Sequence, residues 1–270
     1  MNIPDNYNYE EINLHRAVQL ISLTGVNIID PIPDDSQNTA VWDANTHTIL
    51  GRKFVLNRNT YQIGIRLTPF ELVLLDDKAN TVNSIDIGGL DQSALYSIWE
   101  DWLISLGSRR EIVTKLHYDL PENEHYTSNQ FGGITKEFAQ AWAELRTIAN
   151  KAMGSLNILS GINSEINIWP HHFDTGVFYP ISEENGETTQ SIGAGFGIAD
   201  SLVNEPYFYI YGWTKEGSID YTKAPQLNNG TWLTETWQGA VLKASDASSL
   251  ESVHAFFELS YKFLVRELKK

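Results

Sequence analysis

Apolar and polar positions along this chain follow two periods, and the changes of period mark its elements. Leu14, Ala17, Val18 and Ile21 recur at helical spacing, so residues 10–25 read as an amphipathic helix that stops at Gly25. Pro31 to Asn38 is loop-forming. From 48 to 87 the period drops to two. Tyr61, Ile63 and Ile65 alternate with polar or small residues, Thr68-Pro69 breaks the run, and Phe70, Leu72 and Leu74 resume it. Asp76 to Asn80 makes a turn before Val82, Ile85 and Ile87, which predicts an antiparallel meander.

Helical spacing returns at Leu95, Ile98, Trp102 and Leu106, behind Asp91 as cap and ahead of Gly107 as stop. Residues 117–133 have no period and hold Pro121 and Gly132-Gly133, the composition of a linker or lid. Thr135 is placed to cap a long helix carrying Phe138, Trp142, Leu145, Ala149, Ala152, Met153 and Leu156. Short strand-like runs follow at 166–179, 191–198, 207–213 and 232–242. Ser248 and Glu251 have capping-box spacing before a final helix with Leu250, Val253, Phe257, Tyr261, Leu264 and Leu268 on one face.

The order helix–strands–helix thus occurs twice. The expected fold class is α+β, antiparallel sheets flanked by amphipathic helices, since clustered strands disfavour a doubly wound parallel sheet. Two organisations stay open. One has an N-terminal lobe (1–116), a linker or lid (117–133) and a C-terminal lobe (134–270); the other is a single domain.

Composition narrows the chemistry. The 270 residues include no cysteine, which removes disulfides and thiolate sites and leaves any divalent metal to nitrogen and oxygen ligands. With 19 Lys and Arg against 34 Asp and Glu, the net charge of −15 argues against nucleic acid or an anionic membrane as partner. No run approaches the roughly 20 apolar residues of a spanning helix, and the polar N-terminus has no secretory pattern, so the chain reads as cytoplasmic. A small molecule is a partner the composition allows. The oligomeric state is not legible.

Candidate chemistry concentrates in Trp169-Pro170-His171-His172-Phe173-Asp174. On a continuous strand, His172 and Asp174 share one face, as a catalytic dyad or two ligands of a metal do. His171 joins the ligand set if Pro170 bends the strand. Glu205 and Glu235 lie among aromatic residues, where a carboxylate can act as a general acid; Glu205 also suits a metal and Glu235 a catalytic role. Trp169, Tyr209, Trp213 and Trp237 are the candidate walls of a ligand pocket. Gly193, Gly195 and Gly197 bare one face of a strand, onto which rings are expected to pack.

Three segments resemble an uncharacterised bacterial family, the domain-of-unknown-function family numbered 5996. They are Trp169 to Asp174, Glu205-Pro206-Tyr207-Phe208-Tyr209, and Thr234-Glu235-Thr236-Trp237 with Gly239 to Leu242; Leu14-His15-Arg16 and Trp42-Asp43 fit the same pattern. The resemblance implies a whole-chain architecture that includes the His-His-Phe-Asp segment, and no activity. Function therefore stays divided among an acid–base or metal-dependent enzyme, a small-molecule-binding module with an aromatic pocket, and a structural or interaction protein.

Overall fold

The computed structural model describes residues 3–108, 111–121, 123–235 and 237–270. Among them, helix α1 (Tyr7–Ile28) precedes strands β1 (Val41–Asp43), β2 (Thr48–Leu50), β3 (Phe54–Leu56), β4 (Asn59–Arg66), β5 (Glu71–Asp76) and β6 (Thr81–Asp86). Helices α2 (Gln92–Ser105) and α3 (Lys136–Ser160) follow. A second strand group comprises β7 (Asn167–Trp169), β8 (Asp174–Glu184), β9 (Glu187–Gly197), β10 (Tyr207–Thr214), β11 (Thr231–Leu233) and β12 (Gly239–Lys243), and α4 (Leu250–Leu268) closes the chain. The fold is α+β with two antiparallel sheets, and helix–strands–helix occurs twice. No helix among the described residues is long and apolar enough to cross a membrane.

Contacts gather into two units. The first is Pro4–Ala143 with Ile168–Phe173; the second is Glu144–Asn167 with Asp174–Lys270. Residues 117–133 lie within the first unit, and the chain passes from one unit to the other inside α3, inside β7 and between Phe173 and Asp174.

In the first unit the sheet runs β1-β2-β4-β5-β6, with β3 on β4. Helix α1 packs on it, and both faces of α1 are buried. An amphipathic helix with its polar side in water was expected. Instead Glu10, Glu11, Asn13, His15, Arg16, Gln19, Ser22, Thr24 and Asn27 are all covered. The aperiodic stretch before α3 makes this affordable by supplying hydrogen bonds, without which each buried polar group would cost one to several kcal/mol, roughly. Arg16 donates to the Gln130 and Ser128 carbonyls, Asn27 exchanges two bonds with the Val113 backbone, and Glu10 accepts from the Thr135 backbone and hydroxyl. Gly25 does not stop the helix, which runs to Ile28. A Cβ there would lie 2.3 Å from the Gln37 carbonyl oxygen, so the glycine permits a close backbone approach.

Helix α2 buries Leu95, Trp99 and Leu103, not the expected Ile98 and Trp102 stripe. The turn of the helix is set by Trp99, whose indole N–H donates to Thr24 on α1. Helix α3 buries every one of its expected apolar positions, and Thr135 caps it by accepting from the Phe138 amide.

In the second unit the strands run β11-β12-β10-β9-β8. Phe208 on β10 meets Phe257 of α4 edge to face, which assigns Phe208 and Ile210 to the helix-covered side. The odd-numbered β10 residues Tyr207, Tyr209, Tyr211 and Trp213 therefore occupy the opposite side. The capping box of α4 is Ser249 with Ser252, one residue later than expected, because two consecutive serines each offer the spacing.

Candidate functional site

The His-His-Phe-Asp segment is not a continuous strand. Pro170 to Phe173 form a turn closed by the Phe173 amide on the Trp169 carbonyl at 2.7 Å, and β8 begins only at Asp174. Phe173 has φ 54°, in the left-handed region that costs a bulky residue about 1–2 kcal/mol. The alternation that put His172 and Asp174 on one strand face is thereby lost.

The turn is braced from beneath by α1. The Pro170 carbonyl accepts from His15 Nε2 at 2.6 Å and from Gln19 Nε2 at 2.9 Å. A carbonyl can only accept, so in the neutral ring Nε2 carries the hydrogen and Nδ1 accepts from the Tyr126 hydroxyl. Gln19 turns its oxygen to the Tyr118 hydroxyl, 2.7 Å away. Burial pushes the Tyr118 and Tyr126 phenols far above their ordinary range, Tyr126 also feeling the Glu11 carboxylate, so both stay neutral donors. The Phe173 ring stacks on His15 with centroids 4.9 Å apart and 8° between planes, and on Trp142 at 5.8 Å. Trp142 in turn donates to Glu11. His171 is half-buried against Tyr118, Trp169 and His172, while His172 is exposed.

The second constellation is the open side of the second sheet. Register places Tyr207 opposite Gly197, Tyr209 opposite Gly195 and Tyr211 opposite Gly193. The phenol rings lie over the glycines: a Cβ on Gly195 would meet Tyr209 Oη at 2.4 Å, and one on Gly193 would meet the Tyr211 ring at 2.5 Å. The expectation that rings cover the bare face thus holds. The Tyr209 hydroxyl donates to Asp174 and the Tyr207 hydroxyl to Asp200, the latter at 2.7 Å. Burial first, and then these carboxylates, raise both phenols well above the usual tyrosine range; the Asp174 charge also acts on Tyr211.

Around this row, Val203, Tyr207 and Val241 form a buried cluster, with Leu202, Tyr209, Leu233 and Trp237 partly buried against it. Tyr209 and Tyr211 are nearly parallel (23°, 6.3 Å), and Trp237 meets Tyr211 at 65° and 6.1 Å. Trp213 continues the row with 45% of its surface exposed. Of the four expected pocket rings, Tyr209, Trp213 and Trp237 thus belong to one unit, and Trp169 belongs to the other.

The other candidates are placed as follows. Glu205 accepts from the Ser245 hydroxyl at 3.0 Å and pairs with Lys243 at 3.6 Å, tying the start of β10 to the turn after β12. Glu235 is exposed in the bend between β11 and β12. Among the described residues no group of three or more His, Asp or Glu could hold a metal; of the expected ligands, His171 and His172 belong to the first unit and Asp174 and Glu205 to the second. An open depression of about 440 Å³ between Asp220, Tyr221 and Gln238 contains none of the candidates.

Sequence reasoning missed Glu11, His15 and Gln19 as a working stripe. Their i, i+4 spacing was visible, but it reads equally as a solvated helix face. It also missed Asp200, whose role depends on a loop returning to Tyr207. No protein-family model, curated protein or solved structure matches the chain, so the family resemblance rests on the quoted segments alone.

Proposed function

We propose that the protein is a small-molecule-binding module whose ligand seats on the tyrosine–tryptophan face of the second sheet. The observation that carries this reading is the partly exposed row in which Tyr209 and Tyr211 lie over Gly195 and Gly193, with Trp213 continuing the row and Trp237 beside it. Aromatic surface this dense is costly to leave in water, and it suits a flat or apolar-faced ligand. A metabolite screen by thermal shift on the full chain tests it. A ligand that raises Tm is expected, with chelator having no effect. The shift should vanish in Trp213→Ala and Tyr211→Ala and survive in His172→Ala. A screen in which nothing shifts Tm overturns the reading.

A second reading, acid–base chemistry at the exposed His172, is supported by the left-handed Phe173 beneath it. Backbone strain persists where surrounding structure enforces it, and it clusters at working sites. On this reading, His172→Ala keeps its denaturation midpoint yet loses turnover on a panel of chromogenic esters and phosphoesters. Undiminished turnover in the variant, or none in the parent, rejects it.

A further inference from the structure

We infer that the ligand of the aromatic face is an alkylated ammonium ion, held against the ring faces of Tyr209, Tyr211 and Trp237, with the Asp174 carboxylate at the Tyr209 hydroxyl supplying the negative charge of the row. The inference rests on the binding reading above and supplies its ligand class. Three observations carry it.

The first is the arrangement of the rings. Two nearly parallel phenols and an indole crossing one of them at 65° make a corner of π faces, with neighbouring centroids 6.1–6.3 Å apart. A cation is attracted to such faces within about 6 Å of the ring centre.

The second is charge. Asp174 accepts from the Tyr209 hydroxyl, and its field reaches Tyr207, Tyr209 and Tyr211; Asp200 stands behind Tyr207. A phenol that donates to a carboxylate becomes more electron-rich, which strengthens its hold on a cation. Two lysines near the ends of β10 are already paired. Lys243, opposite Tyr207 in the ladder, lies 3.6 Å from Glu205, and Lys215 lies 3.1 Å from Glu187. The whole chain is anionic, at −15.

The third is what the face does not offer. The Tyr207 and Tyr209 hydroxyls give their hydrogens to carboxylates, so neither offers a donor to a ligand. A primary ammonium is a compact, strongly hydrated charge that needs its own set of acceptors. An alkylated ammonium gives up little hydration and needs only ring faces and one nearby negative charge.

The test is a titration of the full-length protein, followed by tryptophan emission and calorimetry, with three probes. They are choline, its uncharged isostere 3,3-dimethylbutan-1-ol, and methyl glucoside. Choline is expected to saturate, with the isostere at least tenfold weaker. Asp174→Asn keeps an acceptor for the Tyr209 hydroxyl while removing the charge, and should weaken choline at least fivefold with Tm little changed. If that variant folds poorly, Trp237→Leu, whose ring walls the corner but accepts no hydrogen bond, should weaken choline by a similar factor. Equal binding of choline and its isostere, or saturation by methyl glucoside with choline silent, overturns the cation inference and leaves the binding reading standing. Silence of all three probes alongside a hit in the wider screen does the same; silence in that screen as well overturns both.

Discussion

The glycine row beneath the tyrosines gives the sharpest test of how the second unit is built. A Cβ on Gly195 would sit 2.4 Å from Tyr209 Oη and 2.5 Å from the Thr175 carbonyl oxygen. The second neighbour is backbone and cannot swing aside. Moving the phenol instead pulls it from Asp174. Overpacking of this kind costs about 1–3 kcal/mol, and a lost hydrogen bond to a charged group about 1.5–3 kcal/mol. Gly195→Ala should therefore cost about 3 kcal/mol. At Gly193 the Cβ meets only the half-exposed Tyr211 ring, at 2.5 Å, which can tilt away for about 1 kcal/mol. At Gly197 the nearest atom is 3.4 Å away, an ordinary contact. There alanine should be neutral or gain about 0.5 kcal/mol, because it removes the entropy cost of glycine in a strand. Thermal denaturation of the three single variants reads the order, each kcal/mol shifting Tm by roughly 2–4 °C in a chain of this size. Gly197→Ala as harmful as Gly195→Ala, or Gly195→Ala neutral, would refute the tyrosine-over-glycine packing.

Other expectations follow from the same kind of reasoning. Gly25→Ala should destabilise despite the better helix propensity of alanine, because its Cβ would lie 2.3 Å from the Gln37 oxygen; Gly154→Ala on α3 meets nothing within 4 Å and should gain about 0.5–1 kcal/mol in urea melts. Tyr126→Phe removes the donor to His15 Nδ1 and should lower stability by about 1–2 kcal/mol, with a cycle against Gln19→Leu showing non-additivity through the shared turn. In alkali, Tyr118, Tyr126, Tyr179, Tyr207 and Tyr209 hold their protons in the fold well above the unfolded value near 10. Their contribution is whole below pH 10 and is lost as pH rises beyond it, by about 1.4 kcal/mol per unit for each phenol. Phenolate absorbance at 295 nm should thus appear for these residues together with unfolding; smooth ionisation near pH 10 in a protein that stays folded would contradict their burial.

The elements legible in the sequence are those whose pattern had one solution. In the meander, Tyr61, Ile63 and Ile65 alternate along β4, turn residues at 76–80 separate β5 from β6, and α3 carries a single apolar stripe. Where two solutions fit, tertiary contacts chose. Leu95, Ile98 and Trp102 and Leu95, Trp99 and Leu103 are both helical stripes, and the bond from Trp99 to Thr24 selects the second. The polar side of α1 was misread for a related reason. Periodicity reports which residues are apolar, not which polar residues find partners, and those partners are remote in sequence: Val113 is 86 positions from Asn27, Thr135 is 125 from Glu10 and Pro170 is 155 from His15. The glycine face was legible because alternation alone places Gly193, Gly195 and Gly197 together. The service of Asp174 to Tyr209 was not, because it depends on which strands are neighbours.

The turn itself shows which force dominates at the motif. Phe173 holds a left-handed backbone at a cost of about 1–2 kcal/mol, yet truncating a buried phenylalanine costs about 3–5 kcal/mol. The ring, fully buried between His15 and Trp142, outweighs the strain. Replacing it separates the two effects. Phe173→Ala loses the ring and keeps the strain. Phe173→Gly loses the ring but relieves the strain, against about 0.5–1 kcal/mol of added unfolded-state entropy. Glycine should therefore be the milder change, by up to about 1.5 kcal/mol, reversing the order found in ordinary helices and strands. Urea melts of the two variants decide it, and alanine milder than glycine would show that the left-handed backbone is not strained there. If the order is as expected, His171 and His172 stand on a turn fixed by core packing and would be held in place whether or not they act on anything. Loss of stability in His172→Ala would then identify a structural histidine, and an unchanged melt would leave its exposed ring free for chemistry.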